Sequence, residues 1–188
     1  MRNLILIAEE SDIIGEKKLI AQHLKGEMAV TAGLSDGRTA HQWRMADGSV
    51  WDIIVTGVGA LNVLQALRDV PRDTRLLNIG YAGSANFDIG STVEVSEVRL
   101  NHPNVKYPEP ILALEPMQKA WLCHPAAVKR AICYSNTDFM MQSDYHNCVF
   151  DMELAYIAGM GFEHVSALKI VSDNLSLHAY REVATGMK

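Results

Sequence analysis

Two carboxylates near the end of the chain stand where α/β proteins do chemistry. Glu153 opens an apolar, helix-like run, Leu154-Ala155-Tyr156-Ile157-Ala158. Asp173 follows Ala167-Leu168-Lys169-Ile170-Val171-Ser172, which has the composition of a buried strand. In open α/β sheets the ligand crevice lies beyond the carboxyl ends of the strands. Asp173 falls at such an end, and Glu153 can reach the same crevice from the start of a helix. Burial raises a carboxyl pKa, which suits such a group to general acid work. On spacing alone, a turn residue and a first-turn helix residue describe the pair equally well.

The surrounding chain must position these groups. Leu4 to Ala8 is a continuous apolar run of strand length, followed by the acidic residues Glu9, Glu10 and Asp12. Ile13 to Leu24 reads as a helix. Glu27 to Ala32 and His41 to Met45 read as strands, with turn dipeptides at Asp36-Gly37 and Asp47-Gly48. Val50 to Thr56 is a strand, and Gly57 and Gly59 let the chain turn tightly into a helix over Leu61 to Asp69. This GxG lacks the third glycine and the acidic ribose partner of a dinucleotide fingerprint. Strands follow at Arg75 to Ile79, Thr92 to Val98, Ala131 to Tyr134 and Val165 to Val171. Helices follow at Met152 to Met160 and His178 to Met187, with a short helix ending near Ala126 to Arg130. Four prolines make Asn101 to Pro116 a loop, from which His102, Lys106 and Tyr107 could reach a ligand or simply be solvated. Alternating strands and helices predict a three-layer α/β fold.

Composition narrows the function. A chain of 188 residues with 48% hydrophobic and 21% charged residues suits one globular domain. A formal net charge of −5 without a basic run argues against a nucleic-acid surface. The apolar runs are too short for a transmembrane span, and Glu9, Glu10 and Asp12 cut short any signal-like start. Cys123, Cys133 and Cys148 have no CxxC spacing and read as reduced thiols of a cytoplasmic protein. Cys123-His124 alone is a weak zinc signal. No metal and no cofactor is expected.

Five segments, in order, resemble one family. They are Val55-Thr56-Gly57-Val58-Gly59-Ala60, Leu77-Asn78-Ile79-Gly80-Tyr81-Ala82-Gly83 with Ile89-Gly90-Ser91-Thr92-Val93, Ser135-Asn136-Thr137-Asp138-Phe139-Met140, Met152-Glu153, and Ser172-Asp173. Together they look like the nucleoside phosphorylases and nucleosidases, most closely the methylthioadenosine/S-adenosylhomocysteine nucleosidases. The resemblance implies a single domain over residues 1–188 with a mixed, partly barrel-like central sheet. Relative to the family it is shortened between 98 and 135 and at the C-terminus.

By the same resemblance, Asp173 matches the acid that serves N7 of a purine, and Ser172 its support. Glu153 matches the ribose-binding glutamate, with Met152 against the sugar. Phe139 matches the aromatic that stacks on the base, and Met140 the residue whose backbone contacts it. Ala82 and Gly83, with Tyr81 beside them, match the central loop. The family's water-activating glutamate lies in the loop after the first strand. An ungapped register puts Asp12 there, one methylene shorter, while a shifted loop would use Glu10 or Glu9. Asn78 stands where hexameric purine phosphorylases carry an arginine, and Lys169 replaces an arginine common before the final Ser-Asp.

The implied activity is hydrolysis of the N-glycosidic bond of an adenosine-type nucleoside, 5′-modified or not. Phosphorolysis and non-catalytic nucleoside binding are the alternatives. A phosphate-using site needs cationic donors, for which Arg38 and Arg44 are the candidates. The family is oligomeric, and a homodimer is expected here through an exposed apolar patch at Met117, Trp121 and Leu122. The expected partner is otherwise a small nucleoside, with neither nucleic acid nor membrane.

Overall fold

The computed structural model describes residues 1–11, 14–31, 40–102, 104–105 and 108–186. The elements run β1 (Asn3–Ile7), α1 (Lys17–His23), β2 (Gly26–Thr31), β3 (Ala40–Met45), β4 (Val50–Val55), α2 (Ala60–Leu67), β5 (Arg75–Gly83) and β6 (Thr92–Leu100). They continue with β7 (Pro110–Ala113), β8 (Lys129–Ser135), β9 (Cys148–Asp151), α3 (Leu154–Gly159), β10 (His164–Asp173) and α4 (Leu177–Thr185).

Strand β5 is the hub. Every residue from Leu76 to Gly83 is buried, as a strand covered on both faces requires. It pairs in parallel with β1 on one side and β10 on the other. Beyond β1 the sheet continues through β4, β3 and β2. Beyond β10 it turns through β6, β8 and β9 and returns to β5, where Gly83 pairs with Phe150. Five strands thus close a barrel-like ring, as expected.

Side-chain alternation sends β5 and β10 into two cores. Leu76, Ala82, Val165, Ala167 and Val171 meet α2 and α3 through Val63, Leu67, Leu154 and Ile157. Leu77, Ile79, Leu168 and Ile170 meet α1 through Leu19 and Ile20 on the other face. The parallel strands β1, β5 and β10 all end at the same edge, at Ile7, Gly83 and Asp173.

The structure revises several local expectations. The first helix starts at Lys17, not Ile13, and Glu10 and Gly15 form an isolated antiparallel bridge just before it. The turn Asp36-Gly37 lies outside the described residues. The proline-rich segment contains the strand β7, whose first residue is Pro110, a position where a missing N–H costs no ladder bond. The strand β9 was not foreseen. Met117, Trp121 and Leu122 are buried, so they form no exposed patch. Trp121 stands edge-on to Trp51 with ring centroids 5.2 Å apart, and its indole N–H donates to Asp47 at 2.6 Å. Among the described residues no helix is long and apolar enough to cross a membrane.

Candidate active site

A cavity of about 280 Å³ opens at the edge where β1, β5 and β10 end. Most of the residues singled out from sequence meet there: Tyr81, Ala82, Gly83, Phe139, Met152, Glu153, Ser172 and Asp173 all line it. Met140 lines a small adjoining recess of about 30 Å³, together with Asn136, Asp138 and Leu175.

Asp173 ends β10, where the ladder to β5 slips so that Asp173 faces Gly83. Its side chain is 1% exposed. One oxygen, Oδ2, accepts from the Ser172 hydroxyl at 2.8 Å. The other, Oδ1, is buried without a partner. Burial raises the Asp173 carboxyl above its usual range, against the opposing Ser172 hydrogen bond. Glycine at position 83 is a packing requirement, because a Cβ there would sit 2.8 Å from Asp173 Oδ1.

Glu153 sits immediately before α3 and is 7% exposed. The Gly59 N–H donates to its Oε1 at 2.9 Å. Gly57 and Gly59 take φ of 86° and 85°, in the left-handed region that glycine adopts freely. The glycine turn therefore aims a backbone donor at Glu153. Asp151, two residues earlier, is also buried and lines the cavity. Its carboxylate accepts from the Ser135 hydroxyl and the Leu154 N–H, and pairs with Lys169 Nζ at 2.7 Å.

Two carboxylates that line the cavity carry no signal in the sequence analysis above, Asp151 and Glu16. Glu16 is 4% exposed and lines it from the end of the first loop. Its Oε2 accepts from the Ala8 and Glu9 N–H groups at 2.6 and 3.1 Å, and its Oε1 from the Tyr81 N–H at 3.3 Å. Burial raises its pKa, while the backbone donors and Lys169 oppose the rise. The ungapped register hid Glu16 because the loop after β1 is long. The helix read from Ile13 to Leu24 also placed it inside a helix, whereas it stands one residue before α1.

Asp12 lies outside the described residues. Glu10 is exposed and does not line the cavity. It accepts from the Lys17 N–H at 2.8 Å, holding the start of α1. Glu9 does line the cavity. Sequence also gave no sign of Tyr180, which reaches the cavity from α4, edge-on to Tyr81 at 6.3 Å and 5.8 Å from Phe139.

The cavity lining includes Glu9, Glu16, Asp151, Glu153 and Asp173, and no lysine, arginine or histidine among the described residues. Arg44 pairs with Glu27 at 3.6 Å on the surface, while Arg38, Lys106 and Tyr107 lie outside the described residues. His102 is exposed and absent from the lining. No group of three metal-ligating side chains occurs among the described residues.

No protein-family model and no curated protein matches the chain. Solved structures do. A 5′-methylthioadenosine/S-adenosylhomocysteine nucleosidase from Neisseria meningitidis, in complex with methylthio-immucillin-A, superposes with a TM-score of 0.66 at 18% identity over 98% of this chain and 93% of that one. The fold is that of these nucleosidases. The enzyme of the same name from Colwellia psychrerythraea, in complex with adenine, gives 0.63 at 21% identity over 98% and 88%. Futalosine hydrolase of Helicobacter pylori gives 0.62 at 14% identity over 99% and 91%.

A consequence for stability follows from Glu153. Burial first, then Asp151, pushes its carboxyl up to about 7. A raised carboxyl pKa means that the proton favours the folded state. That stabilisation is complete below the ordinary value of 4.5 and is lost as pH rises towards about 7. Ionised Glu153 should cost the fold on the order of 3 kcal/mol at about pH 8. Glu153→Gln is therefore expected to be more resistant to urea than the parent at pH 8, with the advantage vanishing near pH 4. Equal midpoints at pH 8 would overturn this.

Proposed function

We propose that the protein is a purine nucleosidase that hydrolyses the N-glycosidic bond of an adenosine-type nucleoside. The observation that carries this reading is the convergence of three buried carboxylates, Glu16, Glu153 and Asp173, in one cavity, with Asp173 Oδ1 left without a partner. The nucleoside-like ligands of the structural neighbours support it.

Breaking the bond leaves positive charge on the ribose and an electron pair on the base. Asp173, in its protonated form, donates to N7 as the C1′–N9 bond breaks, so the pair settles on a neutral base. Phe139 lies against the base, and the recess at Asn136 and Asp138 takes its far edge. Glu153 accepts hydrogen bonds from the ribose hydroxyls and stabilises the cationic sugar. Water attacks C1′ and loses its proton to Glu16. The products are free base and free ribose. The proton count closes when Glu16 releases its proton and Asp173 regains one from solvent.

Water rather than phosphate is the nucleophile on electrostatic grounds. A phosphate dianion needs several cationic donors. The described lining supplies carboxylates instead, Glu9 and Glu16 among them. Purified protein in phosphate-free buffer should release adenine and 5-methylthioribose from 5′-methylthioadenosine, or adenine and ribose from adenosine, and added phosphate should not accelerate it. The corresponding sugar 1-phosphate as product would make the chain a phosphorylase. Binding without turnover would make it a nucleoside-binding protein.

The same reading includes a cytoplasmic homodimer. Its support is three free cysteines and an exposed apolar strip beside the cavity, Val58, Leu61 and Leu64, of which Leu61 is 82% exposed. Light scattering on the assayed preparation should give twice the chain mass, and a monomer mass would remove the dimer from the proposal.

A further inference from the structure

We propose that Ser135 and Asp151, braced by Lys169, are positioning residues for Glu153: they take over the capping of α3, so that the Glu153 carboxylate is free to face the cavity. The proposal rests on reading Glu153 as the carboxylate that holds the sugar.

Glu153 stands at the position from which a side chain ordinarily caps a helix. An oxygen there would accept from the first N–H groups of α3 and turn the carboxylate in towards the helix. Glu153 makes no such bond. Its Oε1 accepts from the Gly59 N–H at 2.9 Å and its Oε2 from the Met152 N–H at 3.3 Å. The first-turn N–H groups, which a helix leaves without partners of its own, are satisfied from elsewhere. The Leu154 N–H donates to Asp151 Oδ2 at 3.1 Å, and the Ala155 N–H to Ser135 Oγ at 2.8 Å. The Tyr156 N–H reaches back to the Glu153 carbonyl at 3.0 Å. The ordinary work of the cap is thus done by other side chains, and the carboxylate of Glu153 is released from it.

The two caps form one unit. Ser135 ends β8 and Asp151 ends β9, in register with each other. The Ser135 hydroxyl donates to Asp151 Oδ1 while it accepts from Ala155, so both its proton and a lone pair are committed. Lys169 Nζ reaches Asp151 Oδ2 at 2.7 Å from β10, and both of these side chains are at most 1% exposed.

Strands β9 and β10 share no ladder among the described residues; each pairs with β5. The ion pair therefore spans the closed ring and ties the start of α3 to the strand that ends in Asp173. In a closely packed interior, a displaced cap moves the turn Asp151-Met152-Glu153 with it. Ser135 and Lys169 do not line the cavity, so they act on the sugar only through Glu153.

The test variant is Ser135→Ala, which removes both bonds of the hydroxyl and leaves the Lys169–Asp151 charges paired. Hydrogen exchange by amide NMR reads the result at Gly59, whose N–H is held by Glu153. Exchange there should quicken by about fivefold or more relative to amides of the distant β2–β3 ladder. The second reading uses the substrate. Ser135→Ala should lower kcat/KM for adenosine by about tenfold. For 2′,3′-dideoxyadenosine, which lacks the hydroxyls that Glu153 holds, the loss should be no more than about twofold. Equal losses on the two nucleosides, or a Gly59 amide no faster than the distant ladder, would overturn the proposal. If Ser135→Ala does not fold, Ser135→Cys takes its place, with a weaker donor and acceptor in a similar volume. Failure of both to fold would make the hydroxyl a requirement of folding and overturn the positioning role as well. The amide reading needs no turnover, so an inactive parent with the Gly59 response would count against the nucleosidase reading alone. Hydrolysis with equal losses would count against the positioning role alone.

Discussion

Asp173→Asn is expected to lower kcat for base release by about 10³-fold while the protein stays folded, within the range general acid catalysis usually contributes. The substitution keeps the size and shape of the side chain. Its amide can still pair with the Ser172 hydroxyl, which now reaches Oδ2 at 2.8 Å, so β10 and its slipped end should survive. What disappears is a proton deliverable to N7. An amide can donate a hydrogen bond to the base but cannot transfer the proton, so the leaving base keeps its negative charge.

The environment of Asp173 explains why the loss should be large. Burial raises the Asp173 pKa, against the Ser172 hydroxyl and the Leu175 and Ser176 N–H groups, which lower it. The activity carried by the protonated form falls as pH rises through the raised pKa. The parent should therefore show an alkaline limb that Asp173→Asn lacks in its residual rate. Activity within threefold of the parent, with an unchanged circular dichroism spectrum, would remove Asp173 from the role of acid.

Most of the frame was legible in the sequence because strands buried on two faces are written as unbroken apolar runs. Leu4 to Ala8 is such a run, Arg75 to Ile79 and Val165 to Val171 are close to it, interrupted at Asn78, Ser166 and Lys169, and the three form the parallel centre of the sheet. Asp173 was legible because a polar residue closing such a run marks a strand end. Strand β9 was not. It has only four residues, Cys148–Asp151, placed after a polar segment, and its pairing with β8 and β5 exists only once the ring has closed. Reading Glu153 as a helix start hid Asp151 as a member of that strand.

The patch expected at Trp121 failed for a related reason. An apolar segment outside regular elements reads as exposed, yet Trp121 packs edge-on against Trp51 from the distant strand β4. Tyr180 carries no local signal, since half-buried aromatics are ordinary on short helices. Glu16 is the instructive case. Local pattern made it an unremarkable charged residue inside the helix read from Ile13 to Leu24, and only the backbone donors of Ala8, Glu9 and Tyr81 show that its carboxylate is held at the cavity.

Glu16→Gln is accordingly expected to lower kcat by about 10²–10³-fold with little change in KM, because the missing function is proton acceptance from water during attack. Glutamine preserves one carbonyl acceptor for the Ala8 and Glu9 N–H groups, so the loop should hold its course. It removes a buried charge but turns its NH2 towards the Tyr81 N–H, so the melting temperature is measured beside the rate and the assay is run well below it. Glu10→Gln supplies the contrast. Its carboxylate is exposed and holds the Lys17 N–H at the start of α1, so this variant should stay within a few fold of the parent rate. Asp12→Asn completes the comparison, since the ungapped register placed the base there. If Asp12→Asn abolishes turnover and Glu16→Gln does not, the water is activated from a segment outside the described residues, and the three backbone hydrogen bonds to Glu16 only fold the loop. If Glu16→Gln alone is inactive, the carboxylate beside α1 takes the proton.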